Sequence, residues 1–320
     1  MSTHWQDADK GMQWKRGWNI ALVSCSSLLI AAGSLSQVAS AELAISPDWQ
    51  IAQVQSTTRV AAAELNRGIQ LIQQGQLNQA IAAFRKSAQL DPQLSAAHYN
   101  LGLALRQTGQ LQASANAFYQ ATKVDPNFAL AHANLGAALL EGNNLSLAQA
   151  YLQRALEIDS ELGLAHYNVG LLFELRKDFK QAIRAHENAL KYSPNAPEPA
   201  YHIGLIQMQR GNQKRARQAF QRALKINPNY AEVHYNLGTM LLADEKLDEA
   251  LNAFRKSAEA NSNYPNAYYG AGLVFMRQQR YGDARQVLQY ARDLYTQQGN
   301  RQWASEANSL LQRLQSLSSQ

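Results

Sequence analysis

The sequence predicts an all-α chain of seven tandem helix pairs, and three observations carry that prediction. A glycine recurs every 34 residues, at 68, 102, 136, 170, 204, 238 and 272. Twelve residues after each stands a small residue: Ala80, Ser114, Ala148, Ala182, Ala216, Ala250 and Ala284. Ala, Leu, Gln and Arg, all good helix formers, dominate the 320 residues, and β-branched runs are absent.

Each unit reads as two antiparallel helices. In the second unit Ala97, Leu101, Ala104 and Leu105 fall at helical spacing, and Gly109 breaks the helix where a left-handed cap is wanted. A second helix runs from about Leu111 to Val124, with Ala115, Phe118 and Ala121 on one face, and Asp125-Pro126 stops it. Four residues after each small residue come Phe84, Phe118, Leu152, His186, Phe220, Phe254 and Leu288. Prolines at 92, 126, 194 and 228 close four units, and Ser160 and Ser262 take that place in two others. The recurring glycine and alanine are expected to let the two backbones approach closely where they cross. One unit cannot bury its apolar face alone, so each must stack on the next.

These marks resemble the tetratricopeptide repeat. Leu101-Gly102, Leu135-Gly136 and Leu237-Gly238 reproduce its Leu-Gly pair, and Ala121, Ala155, Ala189, Ala223 and Ala291 its later alanine. The resemblance covers residues 61–298, as units 61–94, 95–128, 129–162, 163–196, 197–230, 231–264 and 265–298. It implies a right-handed superhelical solenoid whose first helices line a concave groove. The chain departs from the pattern four residues before the glycine, where an aromatic is expected. Here stand Glu64, His98, His132, His166, Ala200, His234 and Tyr268. After Gly299 the repeat ends, and Trp303, Ala307, Leu310, Leu311, Leu314 and Leu317 form one apolar stripe. We expect one capping helix over 299–317, as the open end of a solenoid requires.

The N-terminus reads as an export signal. Lys10, Lys15 and Arg16 precede an apolar run whose core, Ile20 to Ala32, is 13 residues long. That length falls in the signal-peptide range of about 7–15 and short of the roughly 20 that a spanning helix needs. Ala39-Ser40-Ala41 supplies small residues for cleavage, leaving Glu42 as the new terminus and placing the mature chain in the periplasm or outside the cell. Two alternatives are an uncleaved inner-membrane anchor and a lipid attached at Cys25, although a lipobox should end the apolar run and Leu28-Leu29-Ile30 follow it. Residues 42–60 carry no periodic apolar face and are expected to form a flexible linker. Cys25 is the only cysteine, so the mature chain has neither a disulfide nor a thiolate metal site.

Candidate chemistry is sparse. One histidine per unit places successive rings about 8–10 Å apart, the spacing of packed helices. A zinc ion needs every ligand at roughly 2.0–2.1 Å, so the histidines are read as packing and no metal or cofactor is expected. No nucleophile with a base, carboxylate pair or phosphate loop stands at a meaningful spacing, and neither an enzyme nor a small-molecule substrate is expected. The formal net charge is +6, yet it is not a stripe. The fifth unit holds Arg210, Lys214, Arg215, Arg217, Arg222 and Lys225 against Glu198, while the third and sixth units are each −3. A phosphate track needs basic residues along successive units, so nucleic acid is not the expected partner and a solvated outer face is. Membrane contact is expected only if the N-terminal segment is retained.

Two rows before each glycine are the candidate site. Two residues before it come Asn66, Asn100, Asn134, Asn168, His202, Asn236 and Gly270, and three before it Leu65, Tyr99, Ala133, Tyr167, Tyr201, Tyr235 and Tyr269. In the resembled family such a row lines the groove, where an amide can clamp an extended peptide backbone by donating to a carbonyl and accepting from an N–H. Tyrosine adds a rigid amphipathic surface. The competing reading is that both rows only pack helices together. Glu141, Glu174, Glu198 and Glu232 on the first helices disfavour a terminal-carboxylate clamp. The expected partner is therefore an extended, neutral-to-basic segment of another protein.

Overall fold

The computed structural model describes the backbone of residues 48–318 and the side chains of residues 56–316. The N-terminal apolar segment and the Ala41–Glu42 junction lie outside the described residues. All regular structure among the described residues is α-helical. The chain divides into two bodies at Val124 and Asp125.

The first body holds two helical hairpins. One is α1 (Asp48–Gln73) with α2 (Leu77–Leu90), and the other α3 (Ser95–Gln107) with α4 (Leu111–Val124). The helix α1 begins inside the segment expected as a linker, so residues 48–60 are a correction. The reason is cooperative: once the first turn of a helix exists, each added Gln, Ala or Arg extends it at little cost, even without an apolar face.

The second body holds five hairpins and a final helix. The hairpins are α5 (Ala129–Glu141) with α6 (Leu145–Ile158), α7 (Gly163–Leu175) with α8 (Phe179–Tyr192), and α9 (Glu198–Gln209) with α10 (Gln213–Ile226). They continue with α11 (Ala231–Ala243) and α12 (Leu247–Ala260), and with α13 (Pro265–Arg277) and α14 (Tyr281–Gln297). The final helix α15 spans Arg301–Ser318. Its Ala307, Leu311 and Leu314 are buried, and Trp303 packs on Tyr269 and Tyr295 at 5.6 and 6.0 Å between ring centroids.

Every hairpin turns the same way. The residue at 75, 109, 143, 177, 211, 245 or 279 adopts a left-handed backbone with φ between 58° and 75°. The next residue's N–H then donates to a carbonyl five residues back, as from Gln110 to Leu105 O at 3.0 Å and from Lys246 to Leu241 O at 2.9 Å. That bond is the 6→1 link of a Schellman cap, which satisfies orphan carbonyls at the end of the first helix. Glycine takes this position at 75, 109 and 211, whereas Asn143, Lys177, Glu245 and Gln279 adopt it with a side chain.

The repeat glycine makes a notch, though not for a backbone. A Cβ at Gly204 would lie 2.4 Å from Phe220 Cδ1, and one at Gly102 would lie 2.7 Å from Phe118 Cδ1. The residue 16 positions later fills the notch in all seven hairpins, with Leu152, His186 and Leu288 replacing phenylalanine in three. So the close approach expected of two backbones is an approach of backbone to side chain. The alanine row is fully buried, with Ala148, Ala182, Ala216, Ala250 and Ala284 at 0% exposure.

Candidate functional site

The histidines four residues before the glycine are structural clips. Nε2 of His98 donates to Pro92 O at 3.0 Å, that of His132 to Pro126 O at 3.1 Å, that of His166 to Ser160 O at 2.9 Å and that of His234 to Pro228 O at 2.8 Å. A carbonyl only accepts, so Nε2 carries the proton in each. In the last repeat the hydroxyl of Tyr268 makes the same link to Ser262 O at 3.2 Å. Each clip fastens a first helix to the loop that enters it.

The candidate rows are largely engaged inside the protein. In the first body Asn66 is exposed, Tyr99 is buried against Phe118, and half-buried Asn100 donates to Ala96 O at 2.8 Å. In the second body Asn134 and Asn236 are buried and donate to Leu130 O and Glu232 O, at 3.0 and 2.7 Å, one turn back on their own helices. Buried Asn168 reaches to Ala133 O of the preceding hairpin at 3.4 Å.

The tyrosines reach forward. The hydroxyl of Tyr167 lies 3.2 Å from His202 Nε2, a link of 35 residues, and the Tyr201 and Tyr235 rings pack on Tyr230 and Tyr264 at 5.2 and 5.7 Å between centroids. The two rows thus form seams between successive hairpins. Tyr167 is buried, whereas Tyr201, Tyr235 and Tyr269 are half-buried. Burial pushes the hydroxyl pKa of all three above the ordinary tyrosine range, so each stays a neutral donor.

These three tyrosines share a face with their neighbours. Glu198, Tyr201 and Leu205 on α9 lie at i−3, i and i+4, as do Glu232, Tyr235 and Thr239 on α11 and Asn266, Tyr269 and Leu273 on α13. All nine are half-buried, giving a mixed apolar, aromatic and acidic strip across three successive first helices. Glu198 is desolvated, which raises its carboxyl above the usual range despite a backbone hydrogen bond and nearby His202.

One constellation went unseen in the sequence. The structure brings together Glu174 of α7, His186 of α8 and His202 of α9, their ligand atoms all within 4.8 Å of one another. His186 Nε2 lies 2.6 Å from Glu174 Oε1, and His202 Nδ1 2.9 Å from the same oxygen. The two imidazoles stack with centroids 5.3 Å apart. Burial alone would raise the Glu174 carboxyl, but its interactions with the His202 and His186 imidazoles outweigh it and hold it at about 2. Burial lowers the pKa of His186, only partly offset by Glu174, so that ring is neutral near pH 7. The reading of the histidines as one ring per unit, too far from its neighbours to share a ligand, is thus corrected for His186 and His202. That spacing holds for the histidines that keep the register, whereas these three residues come from two hairpins, 12 and 16 positions apart. The legible signal was that all three depart from the register.

The basic fifth repeat is partly neutralised. Arg222 pairs with Glu187 of α8 at 2.8 Å and Arg217 with Asp244, beyond α11, at 3.0 Å. Both lie on α10, the second helix of its hairpin. Among the described residues no helix is long and apolar enough to cross a membrane.

Hairpins stacked with this fixed register define a helical-repeat solenoid. Tetratricopeptide-repeat family models match residues 68–109, 102–143 and 204–243, and further ones match 129–162 and 234–298. The chain belongs to the tetratricopeptide-repeat family, whose members are typically protein-interaction scaffolds.

Among solved structures it is similar to the Cut9–Hcn1 hetero-tetramer of the APC/C, at 19% identity and TM-score 0.61, over 71% of this chain and 46% of that one. The chain therefore spans less than half of that relative. It is also similar to a tetratricopeptide-repeat protein from Parabacteroides merdae, at 16% identity and TM-score 0.59, over 78% of this chain and 99% of that one. A third is PilF of Pseudomonas aeruginosa, at 20% identity and TM-score 0.56, over 66% and 96% of the two chains. At these identities the likeness is one of fold. No curated protein matches the sequence significantly.

Proposed function

We propose that the chain is an exported scaffold that holds an extended, neutral-to-basic segment of a partner protein along its first helices. The observation that carries this reading is the strip of Glu198, Tyr201 and Leu205, Glu232, Tyr235 and Thr239, then Asn266, Tyr269 and Leu273. Half-buried tyrosines held rigid by packing offer contact area at little entropic cost, and the two carboxylates favour lysine or arginine nearby. Buried Asn134, Asn168 and Asn236 act on the ligand indirectly, by fixing the helices that present the strip.

The test is selection from a phage-displayed library of random extended peptides. Peptides enriched by the native protein should carry apolar and basic residues, and a Glu198→Lys/Glu232→Lys variant should lose them or reverse their charge. Enrichment of acidic peptides, or an identical set from both proteins, refutes the reading.

A further inference from the structure

The repeat supplies an internal standard against which Glu174, His186 and His202 stand out. Where Glu174 sits, the other units have Ile72, Arg106, Leu140, Met208, Leu242 and Met276. Where His186 sits they have phenylalanine or leucine, and where His202 sits they have asparagine, or glycine in the last. Three independent departures from the register therefore converge on one point. None serves the hairpin: a phenylalanine fills the glycine notch without polar atoms, whereas His186, fully buried against Gly170, leaves Nδ1 without a partner. A fully buried imidazole whose Nε2 lies 2.6 Å from a carboxylate, in place of a hydrocarbon, calls for a purpose.

We propose that Glu174 Oε1, His186 Nε2 and His202 Nδ1 bind a divalent transition-metal ion of the zinc type. Two imidazoles and a carboxylate are a zinc donor set, and three protein ligands leave a fourth position open. His202 Nδ1 is buried and, though 2.9 Å from the carboxylate, is not aligned on it for a hydrogen bond. Its lone pair is available to an ion placed beside the oxygen. Tetrahedral ligands at about 2.0–2.1 Å from zinc lie about 3.4 Å from one another. Coordination thus needs the Glu174 oxygen to draw back by under about 1 Å from each ring and the two imidazole nitrogens to close toward about 3.4 Å.

The surroundings fit. The Tyr167 hydroxyl, 3.2 Å from His202 Nε2, is placed to accept a hydrogen bond from that N–H and so leave Nδ1 for the ion, the outer support that metal-bound histidines usually have. The Glu174 and His202 side chains keep 15% and 16% of their surface exposed while His186 keeps none, so ion and water enter from the Glu174–His202 side.

The experiment uses the full chain without an affinity tag, stripped with a chelator and titrated with Co2+ as a visible-spectrum probe and then with Zn2+. One equivalent of Co2+ should bind with the intense absorption of four-coordinate cobalt, and Zn2+ should displace it. His186→Phe and His202→Asn restore residues that other repeats use at those positions, so circular dichroism should show both folded, while each weakens binding at least 100-fold. Tyr167→Phe should weaken it about 10-fold through the orientation of His202. Absence of stoichiometric binding by the folded native chain overturns the proposal. So does binding that is unchanged in both His186→Phe and His202→Asn.

Discussion

Replacing Gly204 with alanine tests the notch that sets each hairpin's packing. The new Cβ would stand 2.4 Å from Cδ1 and Cε1 of Phe220 and 3.0 Å from its Cζ. Carbon atoms prefer about 3.5–4.0 Å, so the ring must retreat by about 1 Å. It has no room, because Phe220 is 0% exposed within a cluster that includes Ala200, Ile203, Ala216 and Ala223. Overpacking of this kind costs about 1–3 kcal/mol, against about 1 kcal/mol gained because alanine favours the helix more than glycine does. We expect Gly204→Ala to be neutral to destabilising, by up to about 2 kcal/mol. Gly282→Ala on α14, with nothing within 4 Å of the new Cβ, isolates the propensity gain and should stabilise by up to about 1 kcal/mol. The decisive assay is a double-mutant cycle by urea unfolding. On a Phe220→Ala background, Gly204→Ala should turn stabilising, giving a coupling of about 1–3 kcal/mol. Zero coupling would mean that the ring is not what the glycine accommodates.

Lys177 holds a left-handed backbone with φ 62°, so Lys177→Gly should raise stability by about 0.5–1 kcal/mol in urea melts, whereas Gly211→Ala should lower it by about 1 kcal/mol. The exposed Arg222–Glu187 pair should matter little, and Arg222→Gln should change stability by less than about 1 kcal/mol, less still in high salt. Trp303→Ala removes the ring that stacks on Tyr295 and meets Tyr269 edge-on, and should cost about 2–4 kcal/mol, with limited proteolysis then cutting α15 first. N-terminal sequencing of the native protein should begin at Glu42, and an intact Met1 or Ser2 would favour a retained anchor.

The fold was legible because a 34-residue period repeats one physical solution. Gly102, Ser114 and Phe118 lock one hairpin, and the same offsets then locate the lock in the other six. The left-handed turns were only partly legible. Gly109 announces itself, but Lys177 and Glu245 do so only by counting 34 residues, since neither favours that backbone. The direction of the Asn and Tyr rows was not legible at all. An amide that clamps a peptide and one that bonds back onto its own helix have the same chemistry, and only the 2.7 Å bond from Asn236 to Glu232 O tells them apart.

The opposite logic governs the metal-ligand candidates. In a chain that repeats itself, a residue that keeps the register reports on packing, as His98 and His234 do by clipping their loops. A residue that breaks it replaces a working solution with a costlier one. A single break tolerates many explanations, such as a neutral drift at an exposed position. Glu174, His186 and His202 break it together, at three different register positions, and the fold brings their donor atoms within 4.8 Å of one another. Packing alone requires none of the three, because the neighbouring hairpins build the same core from Leu140, Phe220 and Asn236. The convergence therefore belongs to a ligand, and restoring the repeat's own residues at 186 and 202 removes the ligand site while leaving the hairpin intact.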